Sequence, residues 1–590
     1  MPARAAVRVD QLGYTPTEAK SAYLIAKRAQ DARFAVIDAR GHVVLRGRAG
    51  RSRGRWNRRF KAVQPLHFTR LQAPGTYRVR VGKQLSPLLR IAPASRLLAP
   101  RVADAVAFFR AQRDGPDALP SPAHLNDSAL DVFATPRYES ADSDVILGRT
   151  LHRSGGPVDL EGGWMDAGDF IKFTHTTAYA DTLLFAAERA LGAAAPPTLD
   201  PEARFGLQWL GKAWRPAEGT MLLQVGIGSG NKRATFNGDH DVWRLPARDD
   251  HLNGARNRYL RHSPAFRATR PGTALPPNLA GRTAAAFALA AQIDANRAPA
   301  AARAELNTAA QIFAAAKTAK VRPSDVVTAL PHAFYPESSW RDDLDLGAAE
   351  LARAGEALSD PRTANWLADA QHWAHEYLAH EAGDATLNLY DTSALAHADL
   401  AQALRAAHAP GGAPLIADLR AQLNRGLARA RKDPFRAGAI YDDFDAASHA
   451  FGLAATAALY RELTHDNRYA AFGTEQRDWA LGANAWGASL MIGVGSRYPR
   501  CPQHVVANLT GRTLRGGVVN GPNDRRHFAG GLGDFFSNGR TCPADGKDPY
   551  RKFTGHGSRF VDDVRAWQTV EPAIDFTATA TLAFAVSASG

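Results

Sequence analysis

The sequence predicts a mainly α protein, a helical barrel with a small β-sandwich in front of it. Two observations carry this. The first ninety or so residues hold short β-prone runs divided by turn residues, whereas beyond residue 100 the chain becomes alanine-rich, with apolar residues at helical spacing. A third feature, a glycine-flanked turn carrying two acids at 162–173, says where such a barrel would do its work.

In the first part, Val7–Val9, Ala22–Ile25, Phe34–Ile37, His42–Leu45 and Tyr77–Val81 read as strands, punctuated by Gly13, Gly41 and Pro74-Gly75. Regular short strands of this kind make a sandwich. Leu88 to Pro93 is its last strand and Pro93 to Pro100 the linker, which sets domains at 1–93 and 94–590. About twelve helical segments follow, among them 101–113, 177–192, 279–296, 342–357, 363–381, 392–407, 446–463 and 572–587. In 177–192, Tyr179, Leu183, Ala187 and Leu191 recur every four residues with Asp181, Glu188 and Arg189 between them, one apolar face of a helix. Long loops around 114–160, 225–278 and 500–557 would border the cleft and set its length, which divides endo from exo action.

At 590 residues, 45% hydrophobic and 22% charged, the chain has ample material for a core and lacks the composition of a disordered one. It contains no apolar run of about 18 residues, so no membrane span is expected, and the N-terminal residues show no secretory signal. The net charge of +14 raises the question of polyanion binding. Much of it is local: Arg46 to Lys61 holds eight basic residues and no acid. A solvated loop explains that run without any nucleic-acid motif, and a surface for anionic polysaccharide is its functional reading. Cys501 and Cys542 are too few for a four-ligand zinc site; whether they pair is open from sequence.

Two acidic constellations carry the chemistry. The turn reads Gly162-Gly163-Trp164-Met165-Asp166-Ala167-Gly168-Asp169-Phe170-Ile171-Lys172-Phe173, and the second stretch runs from Phe560 through Asp562, Trp567 and Glu571 to Phe576. Each acid has a plain structural explanation. Asp169 fits an N-cap before Phe170, and Glu571, ahead of Pro572, fits the start of a helix where the dipole favours a carboxylate. As a pair, the acids fit glycoside hydrolysis, which needs one protonated carboxyl for the leaving oxygen and one carboxylate to activate water. Trp164, Trp243 and Trp567 offer flat apolar faces to sugar rings, with His240 and His504 as polar neighbours.

These stretches resemble glycoside hydrolase family 9, in the branch with an N-terminal immunoglobulin-like domain before an (α/α)6 barrel. Val7 to Tyr14 is similar to the first strand of that small domain, with Asp10 at a usual Asn. Gly162 to Phe173 matches the Asp-Ala-Gly-Asp motif. Gln224-Val225-Gly226 with Asp239, His240 and Trp243 resembles the next cleft segment, Ala280 to Ala285 a barrel helix, and Phe560 to Ala573 the C-terminal signature, whose later Asn is Thr577 here. The resemblance implies an inverting endo-β-1,4-glucanase in which Asp169 is the general base, Asp166 helps hold the water and Glu571 is the general acid. For that role Glu571 must resist the helix dipole, so a raised pKa is expected. It further implies substrate contacts from Trp164, His240, Trp243, His504, Asp562 and Trp567. His504 stands in a segment where the family has two histidines and an Arg; a buried histidine serving the fold is its competing explanation.

The resemblance also implies a calcium loop at Ser338, Ser339, Asp342 and Asp343, completed by Asp391; a capping serine and first-turn acids fit the same residues. No zinc and no organic cofactor are expected. The implied partner is a β-glucan, with no nucleic acid or membrane, acted on by a monomer that is secreted or periplasmic. An exo-acting glucosidase or glucosaminidase, an endo-glucanase for a substituted anionic glucan such as xanthan, and a non-catalytic glycan binder are the alternatives.

Overall fold

The computed structural model describes residues 5–115, 130–133, 153–230, 235–383, 386–533 and 538–589. Most of the expected loop at 114–160 lies outside the described residues.

The N-terminal part is a sandwich of two sheets. One orders β1 (Ala5–Arg8), β3 (Ser21–Ala26) and β6 (Ala62–His67) side by side; the other orders β2 (Gly13–Tyr14), β9 (Leu89–Ile91), β7 (Gly75–Val81), β4 (Arg33–Asp38) and β5 (Val43–Arg48). Between them Val9, Leu24, Val36, Leu66, Phe68 and Val79 form an apolar core. Sequence reading missed β6 because Pro65 sits in its middle. The strand is at a sheet edge, where a missing N–H costs little.

The sandwich does not hang on a loose tether. Its Tyr23, Trp56 and Phe60 belong to the same buried cluster as the barrel, with Trp56 edge-on to Phe435 at 5.3 Å and to Trp486 at 5.5 Å. The expected linker is also ordered: Ala94–Leu97 forms a helical turn and the first barrel helix opens at Ala99, with Pro100 in its first turn where its missing N–H is harmless.

Among the described residues, twelve helices of eleven or more residues follow. They are α1 (Ala99–Gln112), α2 (Thr174–Leu191), α3 (Leu199–Ala213), α4 (Pro277–Asp294), α5 (Pro299–Ala314), α6 (Arg341–Leu358), α7 (Thr363–His380), α8 (Ser393–Ala406), α9 (Gly412–Lys432), α10 (Ala446–Thr464), α11 (Ala470–Ala480) and α12 (Ile574–Ser589). The even-numbered six pack in sequence, α2 on α4, α4 on α6 and so on, and α12 returns to α2, closing a ring; the odd-numbered six lie outside. The sequence sorts the two sets. Inner helices such as α10 and α12 are apolar or small on every side and are buried all round, whereas outer α3 buries a stripe of Leu199, Ala203, Leu207 and Leu210. Helix–helix packing of this kind in a closed double ring is the (α/α)6 barrel.

Candidate active site

The turn at 162–173 leads into α2, and its shape is imposed by glycine. Gly163 has φ +75°, and a Cβ there would lie 2.5 Å from the Trp209 ring. Gly168, between the two acids, has no room either: a Cβ would meet the Gln503 carbonyl oxygen at 2.4 Å. Inside the turn the Asp166 amide donates to Ile171 O at 2.9 Å.

Side chains from distant segments fix this loop. The Gln112 amide at the end of α1 donates to Met165 O at 3.0 Å and Ala167 O at 2.6 Å. His504 in turn holds Gln112: its Nδ1 accepts from the Ala507 amide at 3.2 Å, so Nε2 carries the proton and donates to Gln112 Oε1 at 2.7 Å. Asp239 accepts from the Phe170 amide at 2.8 Å and is paired with Arg244 at 2.7 Å. Apolar packing beneath comes from Met165, Phe170, Trp243, Val505, Val506 and Val564.

The two acids of the turn face different surroundings. Asp166 is buried, and its two carboxyl oxygens accept from the hydroxyls of Thr176 and Tyr335. Burial raises its pKa to about 7, with the neighbouring charge of Asp169 acting the same way and the two hydroxyl donors opposing it. Asp169 is more open. Its Oδ1 accepts from the Ile171 amide at 3.1 Å, and its Oδ2 lies 2.6 Å from His240 Nε2. Burial lowers the His240 pKa, but the hydrogen bond and charge of Asp169 outweigh it and bring the ring to about 9, so His240 is a cation at neutral pH. Asp169 thus makes a turn with its own backbone and caps no helix; α2 starts five residues later.

Glu571 arrives on the opposite side of the seam. Its Oε1 accepts from the Gly168 amide at 3.3 Å, which sets the carboxyl beside the residue joining Asp166 and Asp169. The expectation that Glu571 opens a helix is corrected here. Pro572–Ala573 is a short strand paired with Val518–Val519, α12 begins only at Ile574, and Glu571 has extended backbone. Pro572 is tolerated in that strand: opposite it the Val519 amide donates to Leu490 O at 3.0 Å and the Asn520 amide to Glu571 O at 3.2 Å, bonds that need no N–H from residue 572. The dipole that would have kept Glu571 ionised is therefore not aimed at it; the free amide of Ile574 donates instead to Asp166 O at 3.0 Å. Burial and the charge of Asp169 raise the Glu571 pKa to about 8, against the opposing charge of His240.

Of the substrate contacts expected from sequence, the structure brings His240 and Trp567 to open positions. Trp567 is 42% exposed and stacks on Phe444 at 5.6 Å, four residues ahead of Glu571. Four others are corrected. Trp164 is fully buried against Phe109 and donates to Glu202 Oε1 at 2.8 Å. Trp243 is packed under the turn. His504 is buried, with both ring nitrogens committed to the protein, and burial pushes its pKa down to about 4. Asp562 accepts from the amides of Arg500 and Cys501 at 2.8–3.0 Å, holding the chain that leads to His504. All four shape the site from behind. Sequence reasoning missed Gln112, Thr176 and Tyr335. Thr176, ten residues beyond Asp166 in the first turn of α2, was within reach of a spacing argument; no local signal marks the other two.

The expected calcium ligands do not converge. Ser339 Oγ donates to Tyr390 O at 2.8 Å; Asp342 accepts from the Thr392 amide at 2.7 Å; Asp343 pairs with Arg282 at 2.7 Å; Asp391 accepts from Ser393 Oγ at 2.6 Å and from Tyr377. Ser338 lies on the exposed approach to this segment. Among the described residues no group of three or more His, Cys, Asp or Glu side chains is arranged to hold a metal. The first-turn acids of α6 are instead tied to neighbouring barrel elements. Cys501 and Cys542 are joined in a disulfide.

Comparison with known proteins agrees with this architecture. Residues 100–584 match the family model described as Glycosyl hydrolase family 9, and residues 3–86 match the one described as Cellulase N-terminal ig-like domain. Endoglucanase B of Cellulomonas fimi is 28% identical over 393 residues, 62% of this chain and 34% of that protein, so the chain spans about a third of that relative's length. Endoglucanase 19 of Oryza sativa subsp. japonica is 25% identical over 510 residues, 76% of this chain and 87% of that protein. Among solved structures, a metagenome-derived glycoside hydrolase family 9 endoglucanase superposes with a TM-score of 0.71 at 21% identity over 99% of both chains. An endoglucanase from the termite Nasutitermes takasagoensis does so with 0.59 at 23% identity, over 83% of this chain and 98% of that one. Both share the fold.

Proposed function

The chain belongs to glycoside hydrolase family 9, and from that premise we propose that it is an inverting, endo-acting β-1,4-glucanase. The observation that carries the reading is the hydrogen bond from the Gly168 amide to Glu571, which joins two carboxyls of unlike surroundings across one cleft. Glu571, raised to about 8, holds a proton at neutral pH; Asp169 faces the cationic ring of His240.

In this reading a water between the two acids attacks the anomeric carbon. Asp169 takes its proton, His240 stabilises the carboxylate beforehand, and Glu571 gives its proton to the departing glycosidic oxygen as the C–O bond breaks. One water is added across the bond and the anomeric configuration inverts. Asp166, tethered by Thr176 and Tyr335, keeps a lone pair on each oxygen for that water. His240 and the exposed face of Trp567 serve the sugar chain directly, while Gln112, Asp239 and His504 are positioning residues. Endo action is supported by the endoglucanases among the relatives. A monomer acting on polymer outside the cytoplasm fits this role; no described helix is long and apolar enough to cross a membrane.

Anomer-resolved NMR of the first products from a soluble β-1,4-glucan, run beside viscometry, tests the proposal. The α-anomer should appear first and viscosity should fall well ahead of reducing-end release. First products in the β-configuration would overturn the mechanism, and monomer or dimer release without viscosity loss would overturn endo action.

A further inference from the structure

We propose that the cavity between the small domain and the barrel binds the carboxylate groups of an anionic β-glucan whose backbone lies in the catalytic cleft. The backbone part rests on the glucanase reading above; the charge rests on the following observations.

The cavity, of about 760 Å³, is lined on one side by Arg59 of the sandwich and on the other by Arg500, Lys547, Arg551 and Lys552 of the barrel. Arg59 belongs to the basic run at 46–61, which the catalytic site does not use. That run is an exposed loop anchored on the barrel at Trp56, Asn57 and Phe60. Trp56 Nε1 donates to Phe553 O at 2.7 Å, Asn57 donates to Thr554 O at 2.8 Å, Phe60 stacks on Phe553 at 5.2 Å and Trp56 stacks on His556 at 4.6 Å. Five cations are thereby gathered from segments some four hundred residues apart and held around one depression.

Asp545, Asp548 and Asp562 share the lining, and against five cations they leave it net basic. Asp545 pairs only with Lys547, through exposed groups at 3.2 Å; Asp548 pairs with Arg559, outside the cavity; Asp562 is spent on the amides of Arg500 and Cys501. Among the described residues neither Arg59 nor Arg551 has a carboxylate partner. The guanidinium of Arg500 lies over the Tyr498 ring at 3.7 Å and donates to its hydroxyl, and among the described residues it makes no salt bridge. Behind them Arg8 and Arg497 add to the field, and Lys552 is driven below its ordinary pKa by burial and then by the charges of Arg59, Arg8 and Arg497. Like charges held together at a cost to one of them call for an anion.

The cavity's position selects the kind of anion. Arg500 and Cys501 begin the segment whose Gln503 amide donates to Val570 O at 3.1 Å and whose Gln503 carbonyl lies against Gly168. Three residues of chain span at most about 11 Å. On the proposal, a charged side chain one or two sugars long on a glucan in the cleft spans that distance to Arg500, and the Cys501–Cys542 bond ties the opposite wall, which starts at Pro543, to the same segment. A carboxylated sugar side group meets paired guanidinium forks bidentately. Nucleic acid is the other polyanion, and the test includes it.

Carboxymethyl cellulose and hydroxyethyl cellulose share a backbone and differ in charge. In the Arg59→Ala/Arg551→Ala variant, KM for the carboxymethyl polymer should rise about tenfold at low ionic strength, with kcat and all values on the hydroxyethyl polymer unchanged. The difference should close as salt is raised toward roughly 0.5 M, where exposed charges are screened. The single Arg551→Glu variant should show the same selectivity, and unchanged melting temperatures exclude a folding effect. An unchanged KM, an equal loss on both polymers, or duplex DNA bound by the wild type as tightly as carboxymethyl cellulose would overturn the proposal. If neither polymer is cut, affinity electrophoresis separates the two claims. Wild-type retention by the carboxymethyl polymer alone, lost in the double variant, upholds the anion site while the glucanase reading fails; retention that ignores charge overturns the site.

Discussion

The turn at 162–173 and the arm at 566–575 face each other between α2 and α12, and they are held by different proportions of side-chain and backbone bonding. The turn is pinned by side chains from afar: Gln112 on its carbonyls, Asp239 on its Phe170 amide, and His504 behind Gln112. The arm is held mainly by backbone, through the pairing of Pro572–Ala573 with Val518–Val519 and the Asn520 amide donating to Glu571 O at 3.2 Å, with the Asn520 side chain accepting from the Glu571 amide at 3.1 Å. A side-chain scaffold can place two acids three residues apart in different environments, which regular pairing cannot do because it treats alternate residues alike. In the proposed mechanism, the two acids that must differ are on the tunable segment, and the one that must only protonate a leaving group is on the more uniform one.

The sharpest test of that contrast removes the acids. Asp169→Asn and Glu571→Gln should each lower kcat on polymer by about 10³- to 10⁴-fold. A β-glycosyl fluoride, whose leaving group needs no proton, should recover the Glu571→Gln enzyme and leave Asp169→Asn inactive; equal recovery of both would reverse the roles. Next in size is Gly168→Ala, which pushes a methyl into the Gln503 carbonyl and separates turn from arm. A loss of about 1–3 kcal/mol in urea unfolding should accompany a fall in kcat of about 100-fold.

Replacing His240 with Gln probes the tuning itself. It removes a charged hydrogen bond to Asp169, for a loss of about 10- to 100-fold in kcat. His240 also holds the Glu571 pKa down. Its loss should move the alkaline limb of the pH–kcat/KM profile above the wild-type value near 8, and a limb moving toward lower pH would contradict the electrostatics described. The smallest effect concerns His504. The folded ring is held near 4 by burial, whereas an unfolded histidine titrates near 6.5. The unfolded state therefore takes up the proton first, and stability contributed by this group is lost as pH falls from 6.5 toward 4. Denaturant unfolding across that window should show a shallower decline in His504→Asn than in the wild type, offset by a lower stability at pH 7.

The two acidic stretches were legible in the sequence as a pair that glycoside hydrolysis could use, with their separate roles given only by the family resemblance, and the structure brings them together at the Gly168 amide. The helices were legible because a ring of six inner helices requires long apolar stretches, and eight of the spans read from sequence fall on observed helices to within three residues. The misreadings share one physical cause. Trp164, Trp243, Asp562 and His504 are of the types that line sugar clefts, yet identity does not tell which side of a turn a residue faces, and here each faces inward. Pro65 hid an edge strand and Pro572 disguised another as a helix start. Tyr335 and Gln112 could not be found locally, since only closure of the barrel brings them to Asp166 and its loop.

That closure has a consequence for biosynthesis. Asp166 and Asp169 precede the first inner helix in chain order, and Glu571 precedes the last, yet α2 and α12 are adjacent because the ring ends where it began. Domains fold largely as they emerge from the ribosome, so the turn is synthesised early and waits, for His504 behind it and then for Glu571, across more than four hundred residues. In the proposed mechanism hydrolysis waits until the final helix docks and its first amide reaches Asp166. The enzyme is inert while it is being made, and onset of activity during refolding should report closure of the ring rather than formation of helices.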